Sequence, residues 1–320
     1  MALLDKRLIY APFEYPQYYD YFMKQQQSHW LFTEVSMSGD LHDWNYNLSV
    51  EEKNLIGSIL KSFVQAETIV QDYWGRMVFK TFRKPEIAMM ATTFAAFEGI
   101  HAAGYAYLQD TLGLDDYAAF IVEPTAKSKI DRLLNSSKSR SKEDVAKSLA
   151  VFSAFTEGVS LFSSFAILLN FSRFNKLKGV AQIIAWSIKD ELIHSEAGCS
   201  LFNLFVKEYP EIWTDDLKKD IVDAARATVE LEDGFIDKAF ELGDVEGLTA
   251  YDVKQFIRQR CNSKLQEVGL PQNWRNLDKE ALKRMEWFDV LSMGNLSHAD
   301  FFAVRVTDYS KGSKSFDDIF

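Results

Sequence analysis

Met89-Met90-Ala91-Thr92-Thr93-Phe94-Ala95-Ala96-Phe97-Glu98-Gly99-Ile100-His101 places a glutamate and a histidine three residues apart in an otherwise apolar run. Ile183-Ile184-Ala185-Trp186-Ser187-Ile188-Lys189-Asp190-Glu191-Leu192-Ile193-His194 repeats the device. On a helix, positions i and i+3 share a face, so each Glu-x-x-His pair projects together. With 46 acids and 5 His in 320 residues, roughly 0.7 such matches arise by chance, and two occur. One match alone is more often an exposed pair or a satisfied core histidine. The apolar setting of both adds weight, because a buried carboxylate must be paired, protonated or bound to metal.

Two further acids extend the pattern. Glu67 stands 31 residues before Glu98, and Glu157 stands 34 before Glu191. Each half then reads as a helix with one Glu followed by a helix with Glu-x-x-His. Glu67, taken alone, reads equally as a solvated residue beside Gln65 and Gln71. Taken together, four carboxylates and two imidazoles facing one another are the ligand set of a dinuclear metal site inside a ferritin-like four-helix bundle. Four carboxylates neutralise two divalent ions. Oxygen-rich ligation with two imidazoles suits iron or manganese better than copper or thiolate-bound zinc.

The rest of the chain is read as helical. Ser49 with Glu52 forms a capping box, opening a helix to about Phe82; Pro85 restarts the pattern, and the next helix runs over 86–111 to Gly113. Further helices are expected over 115–134, 143–173, 178–207, 214–242 and 249–268, with a loop at 135–142, while residues 1–48 read as irregular. No run alternates with period two. Only 6 Pro and 15 Gly with 47% hydrophobic residues favour long helices over a turn-rich β-fold. A net charge of −10 disfavours nucleic acid and anionic membranes as partners. Cys199 and Cys261 offer no disulfide framework, and Met1–Arg7 has no apolar signal core, so a soluble cytoplasmic protein is expected. The 23-residue stretch from Leu149 to Phe171 is long enough to span a bilayer. Glu157 and several hydroxyls within it favour a bundle's central helix instead.

These motifs resemble the small, radical-generating subunit of class I ribonucleotide reductase, from about Trp30 to Tyr309. The resemblance is carried by Phe97-Glu98-Gly99-Ile100-His101 with Tyr105, by Lys189-Asp190-Glu191-Leu192-Ile193-His194, and by Thr156-Glu157-Gly158 and Phe301-Phe302. It implies an all-α, ferritin-like bundle with additional helices. Glu67, Glu98 and His101 would hold one metal, and Glu157, Glu191 and His194 the other. Tyr105 matches the tyrosine oxidised to a stable radical, and Trp30 the tryptophan that starts radical transfer. Asp190 matches the acid linking that tryptophan to the ligand His101, and Tyr309 the tail tyrosine that relays the oxidant onward.

The resemblance further implies a ribonucleoside-diphosphate reductase beta subunit, a homodimer, whose one-electron oxidant, stored on Tyr105 or on a high-valent metal centre, passes to a separate large subunit where substrate is reduced. Activation would use dioxygen or superoxide. Residues 1–302 would form the bundle domain and 303–320 a flexible tail docking on the large subunit. Where the best-known iron enzymes commonly carry Asp, this chain has Glu67, as do relatives with manganese–iron or dimanganese centres. The metal pair is therefore open among Fe/Fe, Mn/Fe and Mn/Mn. Gln71, one turn after Glu67, would sit close to the metals and shape the oxidant's route. The rivals are a ferroxidase and a dimetal oxygenase or oxidase. The length of the chain and the bulk of Phe97, Phe162, Phe165 and Trp186 around the site speak against them.

Overall fold

The computed structural model describes residues 2–114, 127, 128, 131 and 141–292. The expected helix at 115–134 and the loop at 135–142 fall almost wholly outside them, as do Phe301, Phe302, Tyr309 and the tail. The described residues are helical, and their only strand-like pairing is an isolated bridge between Val245 and Leu248.

In chain order the helices are α1 (Pro16–Gln27), α2 (Ser38–His42), α3 (Val50–Asp72), α4 (Pro85–Leu112), α5 (Lys142–Leu149), α6 (Leu161–Asn170), α7 (Lys178–Glu208), α8 (Asp215–Ala239), α9 (Ala250–Glu267) and α10 (Lys279–Ser292). The Ser49 hydroxyl accepts from the Glu52 amide at 3.2 Å while the Glu52 carboxylate accepts from the Ser49 amide at 2.8 Å. That reciprocal box starts α3 where the sequence places it. Pro85 opens α4, where its missing N–H costs nothing, and Gly113 closes it at φ +70°, a backbone region that side chains disfavour.

Two helices depart from α geometry. α3 runs on through a π-helical turn at Tyr73–Val78, and α5 joins α6 through a π-helical stretch at Ala150–Ser160. The continuous helix Lys142–Phe174 is long and apolar enough to cross a membrane, yet its apolar part is buried inside the protein. It is the central helix of the bundle. α3 packs along α4, and α7 lies along the π-helical stretch, with α8 and α9 also packed against that stretch. Gly198 allows this approach: a Cβ there would fall 1.8 Å from Ser153 Oγ.

Two expectations are corrected. Residues 1–48 are not wholly irregular, since α1 buries Tyr18, Tyr21 and Gln25 against α4 and α7. The helical run also continues past 268 as α10, which buries Ala281, Met285, Phe288 and Leu291.

Candidate metal centre

α3 supplies Glu67, α4 supplies Glu98 and His101, the π-helical stretch supplies Glu157, and α7 supplies Glu191 and His194. All six side chains are completely buried. They form two quartets, Glu67–Glu98–His101–Glu191 and Glu98–Glu157–Glu191–His194, each with its ligand atoms within 4.8 Å of one another. Glu98 and Glu191 belong to both. His101 Nδ1 lies 3.2 Å from Glu98 Oε2 and 3.0 Å from Glu191 Oε1, and His194 Nδ1 lies 2.8 Å from Glu98 Oε1. The imidazole centroids are 6.1 Å apart.

The donor atoms fit a pair of cations. Both oxygens of Glu67 and of Glu191, Oε1 of Glu98, Oε2 of Glu157 and both nitrogens of His194 are buried without an aligned hydrogen bond. Buried polar groups are ordinarily satisfied, so this concentration of unsatisfied acceptors in one place needs a positive partner. His101 presents Nδ1 inward because its Nε2 is engaged 3.1 Å from Asp190 Oδ2. A carboxylate that orients a ligating imidazole is what such a site requires.

Electrostatics agree. Burial, followed by the neighbouring Glu98 and Glu191 carboxylates, pushes Glu67 well above the ordinary carboxylate range. Burial does the same to Glu157, helped by Glu191 and Glu98, and it raises Glu191. At Glu98 burial opposes ionisation but is outweighed by the imidazoles of His194 and His101, which hold the group low. Burial works against the charged form of His101, yet hydrogen bonds to Asp190, Glu191 and Glu98 raise it well above the usual value.

With metal stripped by chelation, the raised carboxylates bind more protons folded than unfolded. Their stability contribution is full below about 4.5, their ordinary value, and is lost as pH rises through the folded values. His101 loses its contribution in the same direction, and Glu98 alone acts oppositely, weakening the fold as pH falls. The melting temperature of the stripped protein should therefore fall as pH rises above about 4.5. Loaded protein should lack this fall, because metal replaces the protons, and metal affinity should rise with pH over the same range. Calorimetry on both forms checks this, and a stripped protein that gains stability with rising pH would contradict it.

The other expected residues converge on the cluster. Tyr105 is fully buried one turn beyond His101, with ring centroids 6.2 Å apart, and it stacks on Phe63 at 4.6 Å. Its hydroxyl has no aligned hydrogen bond among the described residues, and burial followed by the Glu67 charge holds its pKa well above the ordinary phenol value. Trp30 Nε1 donates to Asp190 Oδ2 at 2.8 Å, and its ring lies parallel to His101 at 5.9 Å. Asp190 thus joins the indole to the imidazole. Gln71 does not join the cluster: it is exposed and donates to the Ala95 carbonyl at 3.1 Å, turned outward across α4.

Three residues at the site escaped the sequence reading. Gln25 Nε2 and Ser28 Oγ donate to Asp190 Oδ1 at 2.7 and 3.2 Å, and Trp74 Nε1 donates to Glu157 Oε1 at 2.5 Å. Trp74 follows Glu67 by seven residues, two helical turns, and that spacing was its signal.

A family model for the ribonucleotide reductase small chain matches residues 7–280. The chain belongs to that family. It is 38% identical over 98% of its length to a "probable ribonucleoside-diphosphate reductase small subunit" of Invertebrate iridescent virus 3, covering 87% of that relative. Two solved structures share the fold. A class I ribonucleotide reductase protein from Bacillus halodurans matches at TM-score 0.79 and 18% identity, over 86% of this chain and 99% of that one. The dimanganese(II) NrdF of Streptococcus sanguinis matches at 0.76 and 23%, over 88% and 99%. The small chain of ribonucleotide reductase is a ferritin-like protein with a dinuclear metal centre, and the buried glutamate–histidine cluster is able to hold one here. As a small chain, the protein is an oxidoreductase subunit of ribonucleoside-diphosphate reductase.

Proposed function

We propose that Glu67, Glu98, His101, Glu157, Glu191 and His194 hold the two metals, and that Tyr105 stores the oxidant this subunit delivers. The observation that carries the reading is the convergence of a buried phenol without an aligned hydrogen bond and the Trp30–Asp190–His101 link on one unsatisfied ligand cluster. When bound, the metals supply the one-electron oxidising power.

The chain's own groups do the rest. Asp190 accepts from Trp30, Gln25 and Ser28 while facing His101 Nε2, so the imidazole cannot turn. Phe63, stacked on Tyr105 and packed in turn on Phe165, helps exclude water from a residue that must hold an unpaired electron. The Tyr105 phenol keeps its proton until oxidation, because burial and the nearby Glu67 charge both oppose an anion. Trp30 stands at the start of the outward route. Tyr309 is its last residue on this chain, in a tail over 303–320 that docks on the large subunit. The bundle over 1–302 works as a homodimer in the cytoplasm.

Tyr105→Phe tests the storage role. The variant should keep two metals per chain, lose the tyrosyl signal in electron paramagnetic resonance, and fall to background reduction of ribonucleotides when mixed with the large subunit. Retained activity would move the stored oxidant from Tyr105 to the metals.

A further inference from the structure

The geometry points to Trp74 as a positioning residue that holds Glu157 by Oε1, 3.9 Å from His194 Nδ1, and thereby fixes how the carboxylate faces the metal; this rests on the reading of the six residues as ligands. The indole is completely buried, and its N–H donates to Glu157 Oε1 at 2.5 Å, while Glu157 Oε2 has no partner. An indole nitrogen is a donor only, so a buried one must find an acceptor, and here the acceptor is the ligand itself.

The ring has little freedom to turn away. It meets Phe94 edge-on at 5.0 Å, His194 at 6.1 Å and Tyr73 at 5.0 Å. Tyr73 is itself stacked on Phe152 at 4.2 Å, with its hydroxyl 3.3 Å from Ser153 Oγ. Gly198 lets the backbone of α7 close on the indole, since a Cβ there would already lie 3.4 Å from Trp74 Cη2. Both partners ride on the π-helical turns of the bundle, Trp74 in Tyr73–Val78 and Glu157 in Ala150–Ser160. π-turns within α-helices recur where a functional side chain must be re-aimed.

The choice of donor matters to the charge balance. Four carboxylates offset two divalent ions. A lysine or arginine at position 74 would add a positive charge and disturb that balance, whereas an indole fixes one oxygen and leaves the carboxylate's full charge for the metal. The two quartets are therefore held differently. Asp190 orients His101 on one side, and Trp74 orients Glu157 on the other.

The test uses the full chain, stripped and then titrated with Mn(II) alone. Wild type should bind two ions. Trp74→Phe keeps an aromatic ring but removes the donor, and should weaken one site about 10- to 100-fold, the range that outer partners of metal ligands command. The other site should change less than about twofold, which a general loosening of the fold would not produce. Independently, the indole N–H resonance that shifts in Glu157→Gln should be hydrogen-bonded and protected from exchange in stripped wild type, and should stay so after loading with diamagnetic Zn(II). Two unweakened sites in Trp74→Phe would overturn the proposal, as would loss of that resonance's protection on Zn(II) loading. Wild type that binds no Mn(II) would instead overturn the ligand reading, and this proposal with it.

Discussion

Glu98→Gln is expected to empty both metal positions, whereas Glu67→Gln or Glu157→Gln should weaken chiefly one. Glu98 belongs to both quartets and faces both imidazoles, Oε2 towards His101 and Oε1 towards His194. An amide keeps the shape but removes the negative charge shared by the two positions. The loss should exceed the 10- to 100-fold that outer partners of a metal ligand cost. Reduction of ribonucleotides with the large subunit should fall to background. The variant should still fold, because stability comes from the apolar core along α3, α4, the π-helical stretch and α7 rather than from the ions. Elemental analysis after Mn(II) or Fe(II) loading, with circular dichroism on the same sample, checks both halves. Two metals per chain in Glu98→Gln would remove it from the ligand set.

That sharing of Glu98 and Glu191 was not legible in the sequence. Spacing along a helix tells which residues share a face, and it pointed to all six candidate ligands in one interior. Which carboxylate stands between which imidazoles depends on how four helices pack, and no single helix encodes it. The caps were legible for a local reason: Ser49 with Glu52, Pro85 and Gly113 each satisfy or forgo backbone hydrogen bonds within a few residues. α1 was not, because Pro16–Gln27 carries aromatic and polar residues without an apolar period, and it is helical where it packs on α4. α10 was hidden differently. Ala281, Met285, Phe288 and Leu291 do form a helical stripe, but acids and bases between them mask it. The π-helical turns have no composition of their own. They were read as ordinary helix. The spacing from Glu67 puts Trp74 on the same face but does not tell which carboxylate its N–H holds, whereas a buried glutamate must have a reason to be there.

Truncation after Ser315 is expected to separate the centre from its use. The shortened chain should keep both metals and any Tyr105 radical, yet give background reduction with the large subunit. The removed stretch, Phe316-Asp317-Asp318-Ile319-Phe320, sets three apolar anchors around two acids. Ser310 to Lys314 before it is polar and carries a glycine, the composition of a segment that orders only on a partner. Docking of that kind would bury Phe316, Ile319 and Phe320 in a groove of the large subunit, with the acids steering the encounter. The described bundle ends at Ser292, and the candidate ligands Glu67, Glu98, His101, Glu157, Glu191 and His194 all lie before it, outside the deleted stretch. Loss of activity with an unchanged paramagnetic signal would therefore report docking rather than damage to the centre. A synthetic peptide of residues 310–320 should compete with the intact chain, and raising the salt should slow association more than dissociation, because screening acts on the steering charges and not on the apolar anchors. Full activity of the truncated chain would show that the large subunit grips another surface. The relay through Tyr309 would then need that surface to bring it into reach.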